Sequence, residues 1–265
     1  MVSRHCNLPF MHRLRSSRYA YHSSGVDISR VSGDLILPSG IGILNRVMNG
    51  GLYSGYVTHV YGQAASGKTT LALQFTAEAF RQGFGTFYVN TEASSPINRL
   101  EQIANGTYED MEDSVKIITP RNFGEQGVLV DDLDLYVREG TKIIVIDTLT
   151  RHYRLAMDES KKTNFANHRE LNRQVGTLKG LARKRDVAVL LLNQVTSRPQ
   201  GTEEFEPVAE NILSFWSDVT IKMDTGEAEG ARIIRRLTPE GEPSIGRLYF
   251  CDGGFSPEPQ TDKKQ

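Results

Sequence analysis

The chain has 265 residues, 38% of them hydrophobic, enough for one large α/β domain or two small ones. Lys plus Arg (31) nearly balance Asp plus Glu (32), which excludes a globally basic protein and leaves any nucleic-acid contact to a local patch. No apolar run approaches a membrane span, so no membrane partner is expected. The two cysteines, Cys6 and Cys251, form no C-x-x-C or Cys/His cluster, which argues against a zinc site or a disulfide framework. A reducing, cytoplasmic compartment is the expectation.

Residues 1 to about 30 differ from the rest. Arg4, Arg13, Arg15, Arg18 and Arg30 accompany His5, His12 and His22, with Asp27 as the only acid. Three readings stand side by side: a disordered basic arm, an organelle transit peptide, or sequence upstream of a later start such as Met11. No long apolar core follows the arginines, which argues against a secretory signal. The expected division is a basic, disordered arm over 1–36, a core over 37–255 and a flexible tail over 256–265.

From Leu35 the chain becomes regular. A turn at Leu37-Pro38-Ser39-Gly40 leads into a short helix that Gly50-Gly51 breaks. The apolar run Val57 to Tyr61 predicts a strand, and the run Thr70 to Phe80 predicts a helix. Between them stand Gly62, Gln63, Ala64, Ala65, Ser66, Gly67, Lys68, Thr69 and Thr70, a complete G-x-x-x-x-G-K-[ST]. Small residues in this context let successive N–H groups curl around a polyphosphate at a helix N-terminus. Lys68, expected to face solvent, would bridge the β- and γ-phosphates, and the Thr69 hydroxyl would take a position on Mg²⁺.

Thr86 to Val89 and Val115 to Ile118 read as buried strands, with a helix from Pro96 to Ala104 between them. Leu129, Leu133 and Val137 at four-residue spacing predict a helix over 127–140. Lys142 to Asp147 is the most apolar strand, and a loop from Arg151 to Phe165 follows it. Leu171, Val175, Leu178 and Ala182 then share a helix face, opposite a basic face read as solvated. A strand over Val187–Leu192, a polar loop to about Glu210, and three strands near 219–223, 232–237 and 247–251 complete the core. Strands alternating with helices predict an α/β fold, a mainly parallel sheet flanked by helices with a β-rich C-terminal part.

Hydrolysis needs a metal partner and something to orient water. Asp147 ends a strand of four β-branched residues, where it is either a Mg²⁺-holding acid or an ordinary strand-end aspartate. Glu92, after another strand, is a candidate general base or a helix cap. Gln194, ending a third, would sense a γ-phosphate or simply sit in a loop.

Together GQAASGKTT, YVNTEASSPINRLEQIA, IIVIDTLTRHYRLAM, VLLLNQV and FWSDVTIKM resemble the RecA/RadA recombinase superfamily, in its short archaeal RadB branch. The resemblance spans roughly residues 37–255 and implies a RecA-like P-loop NTPase core binding ATP and Mg²⁺. By position it makes Glu92 the catalytic glutamate, Arg99 the arginine against the adenine, Asp147 the Walker B acid and Gln194 the γ-phosphate sensor. It implies a first DNA loop around Arg151 to Phe165, offering Arg151, His152, Arg154, Lys161 and Lys162, and a second opening at Gln194 and offering Arg198. That second loop also carries Glu203, Glu204, Glu206 and Glu210, a poor reader of phosphate. Full recombinases carry an N-terminal helix-hairpin-helix domain and a Phe-x-x-Ala linker motif, which residues 1–36 do not match, and Ala209-Glu210 stands where a Gly-Gly pair is usual. The expectation is therefore an ATP-binding accessory protein of homologous recombination and repair with weak hydrolysis. Its implied partners are single-stranded DNA, a RadA-type recombinase or other recombination proteins, and further copies of itself. A KaiC-like regulatory ATPase acting on proteins without DNA is the alternative.

Overall fold

The computed structural model describes residues 35–197, 205–239 and 245–259. Residues 1–34 of the expected basic arm, Arg198, and Glu203 and Glu204 of the second-loop acids lie outside them. A two-stranded ribbon, β1 (Ile36–Leu37) with β2 (Leu52–Tyr53), flanks the short helix α1 (Gly42–Val47). Strand β3 (Val57–Gly62) enters the P-loop and α2 (Lys68–Arg81) leaves it. There follow β4 (Gly85–Asn90), α3 (Ile97–Ala104), α4 (Tyr108–Met111), β5 (Val115–Ile118), α5 (Phe123–Tyr136) and β6 (Thr141–Asp147). Next come α6 (Arg151–Leu155), α7 (Lys161–Arg185), β7 (Ala188–Ser197), β8 (Phe205–Pro207) and α8 (Glu210–Trp216). The C-terminal strands are β9 (Val219–Thr225), β10 (Ala231–Thr238), β11 (Ile245–Cys251) and β12 (Gly254–Ser256).

The main sheet runs β12-β11-β10-β9-β3-β7-β6-β4-β5. From β9 to β5 every pairing is parallel, and β10 to β12 extend the sheet by antiparallel hairpins. Near-continuous apolar runs suit strands covered on both faces. Val60, Tyr88, Ile143, Val145, Leu190 and Leu192 pack on one face with Leu71, Phe75 and Leu100 of α2 and α3. Their neighbours Val57, Val89, Ile144, Ile146, Val189 and Leu191 point to the other face, against Val130, Leu133, Leu171 and Val175 of α5 and α7. The result is three layers with a core on each side of the sheet.

Several expectations shift. The helix placed over 127–140 spans Phe123–Tyr136, because the Asn122 side chain caps it by accepting from Glu125 N–H at 2.9 Å. Gly127, read as a helix start, is interior, and a Cβ there would meet the flexible side-chain end of Glu170 on α7, its Oε1 at 2.6 Å. The segment read as a loop from Arg151 to Phe165 holds α6 and the start of α7, which Ser160 caps by accepting from Thr163 N–H. The basic face of α7 is not simply solvated. Lys179 is buried against Asp218, Arg173 pairs with Glu170 and Asp131, and Lys184 and Arg185 share Asp134. Finally, β12 carries the sheet to Ser256, the first residue of the expected tail.

Candidate nucleotide site

Parallel register assembles the site. Gly62 of β3 pairs with Gln194 of β7, and Asn90 of β4 pairs with Asp147 of β6. The P-loop, the turn carrying Glu92, the strand end at Asp147 and Gln194 therefore share the carboxyl edge of the sheet, the edge at which open α/β sheets bind ligands.

Two glycines shape the loop. A Cβ on Gly62 would lie 2.1 Å from the Met223 carbonyl oxygen, so only glycine allows β9 to pass so close. Gly67 sits at φ +101°, and a Cβ there would strike Phe255 at 2.7 Å. Phe250 and Phe255 stack with centroids 5.1 Å apart beneath this turn. Arg232 covers Phe250 and donates to the Ala65 carbonyl at 3.1 and 3.2 Å, fixing the loop tip. Sequence reasoning missed this arginine because nothing in β10 marks it as facing the loop.

Lys68, expected in solvent, is buried. Its Nζ folds back to donate to the carbonyls of Gly62 (2.9 Å) and Gln63 (2.7 Å) and to Ser66 Oγ (3.3 Å). Burial pushes the amine down to about 8, with Asp147 and Glu92 pulling the other way. Thr69, next along, is exposed.

Asp147 is buried, and its Oδ2 accepts from Tyr88 OH at 2.6 Å. Burial raises this carboxyl above its ordinary value, against the lowering effect of the Tyr88 and Thr69 hydroxyls. Its Oδ1 is buried with no donor in hydrogen-bond geometry. An orphaned carboxylate oxygen beside an exposed threonine hydroxyl fits the hard oxygen ligands Mg²⁺ prefers. Among the described residues no cluster of three His, Cys, Asp or Glu side chains could hold a metal ion. Tyr88 was not singled out from the sequence; its place two residues before Asn90, on a strand paired with β6, is the signal that could have found it.

Glu92 Oε1 accepts from Thr148 Oγ1 at 3.0 Å and from Gln194 Nε2 at 3.2 Å. Its Oε2 lies 3.6 Å from Arg151 Nε. Gln194 Oε1 in turn accepts from Arg154 Nη1 at 2.9 Å. Arg99 bridges α3 to the turn after β11, donating to the carbonyls of Cys251 (2.8 Å) and Asp252 (2.9 Å).

The six residues offered for DNA separate. Arg151 and Arg154 are spent on Glu92 and Gln194. His152 is buried and bonded to the Pro120 carbonyl at 2.9 Å, so it is unavailable to a strand. Lys161 and Lys162 are exposed at the start of α7. Arg198 lies outside the described residues. A cleft of about 420 Å³ opens between α6, β8 and α8, lined by Tyr153, Arg154, Met157, Val208 and Asn211. At its rim Ala209 adopts φ +52°, the left-handed conformation a glycine pair would take without strain.

The Rad51 family model matches residues 33–243. The chain belongs to the Rad51 family. Within it the chain groups with RadB. It is 33% identical to the DNA repair and recombination protein RadB of Thermococcus onnurineus over 81% of this chain and 93% of the relative. The RadB of Methanococcoides burtonii is 32% identical over 75% and 88%. A crystal structure of the RadB recombinase superposes with a TM-score of 0.70 at 28% identity, covering 86% of this chain and all of that one. The RecA-like core expected from the motifs is thus the fold of a Rad51-family protein.

Proposed function

We propose that this protein binds ATP with Mg²⁺ and serves homologous recombination and DNA repair as an accessory to a RadA-type recombinase. Its hydrolysis is weak and its contacts with single-stranded DNA are local. The observation that carries the nucleotide reading is the convergence of Lys68, Thr69, Asp147, Glu92 and Gln194 on one sheet edge through strand register. Thr69 and Asp147 would hold the cation. When bound, Mg²⁺ supplies neutralisation of phosphate charge. Lys68 would leave the loop carbonyls for the β- and γ-phosphates, exchanging neutral acceptors for charged ones. Glu92 would take a proton from an attacking water while Gln194 reports the γ-phosphate. Arg99, anchored on the turn after β11, would lie against the base. The RadB relatives carry DNA repair and recombination in their names, which favours this role over a regulatory ATPase acting on proteins alone.

The decisive comparison is Glu92→Gln. The amide keeps the shape of the site but cannot accept a proton, so ATP affinity should stay within a factor of two or so while turnover falls by roughly a hundredfold or more. Calorimetric titration and a phosphate-release assay measure the two. Unchanged turnover would remove Glu92 from the reaction.

A further inference from the structure

The tip of the nucleotide loop stands in a conformation that its own sequence resists. Ala65 adopts φ +59° and Gly67 φ +101°, on either side of Ser66, whose N–H reaches the Gln63 carbonyl at 3.2 Å. Left-handed residues set this close together turn successive N–H groups into an anion-binding concavity. Glycine takes such a φ freely, but for alanine it costs roughly a factor of ten in population. The carbonyls of the same loop are held by cations. Lys68 Nζ takes those of Gly62 and Gln63, while Arg232 Nε and Nη2 converge on that of Ala65 at 3.2 and 3.1 Å. Arg232 is itself well seated. Its guanidinium lies over the Phe250 ring, 4.2 Å from the centroid, and its Nη1 donates to the Ala231 carbonyl at 2.7 Å. Phe250 stacks on Phe255, the ring that a Cβ on Gly67 would strike, so one stack from the antiparallel hairpins supports both left-handed residues. The two cationic clamps differ in one respect. Lys68 must release its carbonyls to meet the phosphates, whereas Arg232, anchored on Phe250, can stay.

We propose that Arg232 is a positioning residue of the nucleotide site: it holds Ala65 in the left-handed conformation, so that the loop keeps its N–H groups turned toward a triphosphate after Lys68 has moved to it. This rests on the nucleotide reading above. Arg232 acts through the loop backbone and takes no phosphate contact of its own. Its effect is therefore on binding, through a loop already shaped for the ligand, and not on the chemical step.

The test pairs two substitutions. Arg232→Met keeps an apolar side chain over Phe250 and removes both donors to Ala65. Calorimetric titration should show ATP bound roughly three- to tenfold more weakly, the loss of charge-assisted bonds at a partly exposed site. KM should rise by the same factor while kcat stays within about twofold. Ala65→Gly should change affinity by less than about twofold in the parent, where the clamp already imposes the conformation. In the Arg232→Met background it should restore most of the lost affinity, because glycine needs no clamp. An arginine that merely stabilised β10 would show no such rescue. Melting temperatures exclude misfolding, and Arg232→Gln serves as a second variant if Arg232→Met folds poorly. Should the parent fail to bind ATP, the nucleotide reading and this one fall together. Normal ATP binding by the parent combined with unchanged affinity in Arg232→Met, a loss carried by kcat instead of KM, or a double variant no tighter than Arg232→Met overturns this proposal alone.

Discussion

Lys68 carries a charge whose state the fold itself controls. Desolvation lowers its amine to about 8 from 10.5, with Asp147 and Glu92 opposing. A lysine depressed on folding penalises the folded state while charged, and that penalty lifts as pH rises from about 8 toward 10.5. ATP reverses the preference, since phosphates favour the ammonium. Binding at pH 8.5 should therefore take up a fraction of a proton, and affinity should fall as pH rises through 8. Titration in buffers of different ionisation enthalpy measures the uptake, and Lys68→Ala should abolish it while weakening ATP by tenfold or more, about 1.5–3 kcal/mol. His59 gives a second pH effect, from the same cause but read in stability. Burial lowers it to about 3, its Nε2 faces the Asn193 amide at 3.2 Å, and its Nδ1 has no partner. The unfolded chain binds a proton here from about pH 6.5 downward and the folded chain does not, so stability falls as pH drops from 6.5 toward 3. His59→Phe should flatten the acid limb of a melting-temperature profile between pH 7 and 5.

At the scale of elements, the long helix α7 is fixed by electrostatics as much as by its apolar stripe. Asp218, leading into β9, accepts from Lys179 of α7 and from Val57 N–H of β3 at 2.7 Å. One carboxylate thus ties a helix to two strands, and the Lys179 side chain is 10% exposed. Asp218→Ala leaves a nearly buried ammonium and an unpaired strand N–H. We expect a loss of about 2–3 kcal/mol, the lower range for breaking a mostly buried pair, read from the shift of a urea midpoint. The exposed Lys184 and Arg185 pairs with Asp134 should contribute little when removed, because solvent screens them. A helix described as a basic solvated face therefore divides into one pair that matters to stability and several that do not. Sequence alone could not make that division, because the decisive acids come from α5 and from the residue before β9.

For the whole molecule, DNA affinity follows from where cations remain free of the nucleotide site. Arg151 and the exposed Arg154 are engaged there, and His152 is buried, which leaves Lys161 and Lys162 as the exposed first-loop cations not engaged at the nucleotide site. Two phosphate contacts correspond to a salt slope of about 1.4 for single strands. We expect weak binding with a shallow slope, falling by about that amount when both lysines become alanine, as a salt series of oligonucleotide titrations would show. The protein alone should catalyse no homologous pairing, and efficient unaided pairing would overturn the accessory role.

The sequence by itself determined the layered α/β core and which residues end its strands at the carboxyl edge of the sheet. Continuous apolar runs can satisfy strands only when both faces are covered, and a Gly-rich loop between strand and helix has one established geometry for phosphate. Glu92, Asp147 and Gln194 were legible because each ends such a run. What those side chains do to one another was decided by the tertiary structure. Whether Lys68 is wet or buried, whether Arg151 faces a strand of DNA or the carboxylate of Glu92, and whether Asp147 finds Tyr88 all depend on register between strands distant in sequence. A one-residue slip in a strand turns every side chain to the opposite face. Local pattern fixes which residues reach the sheet edge, and only the packed sheet fixes which of them touch.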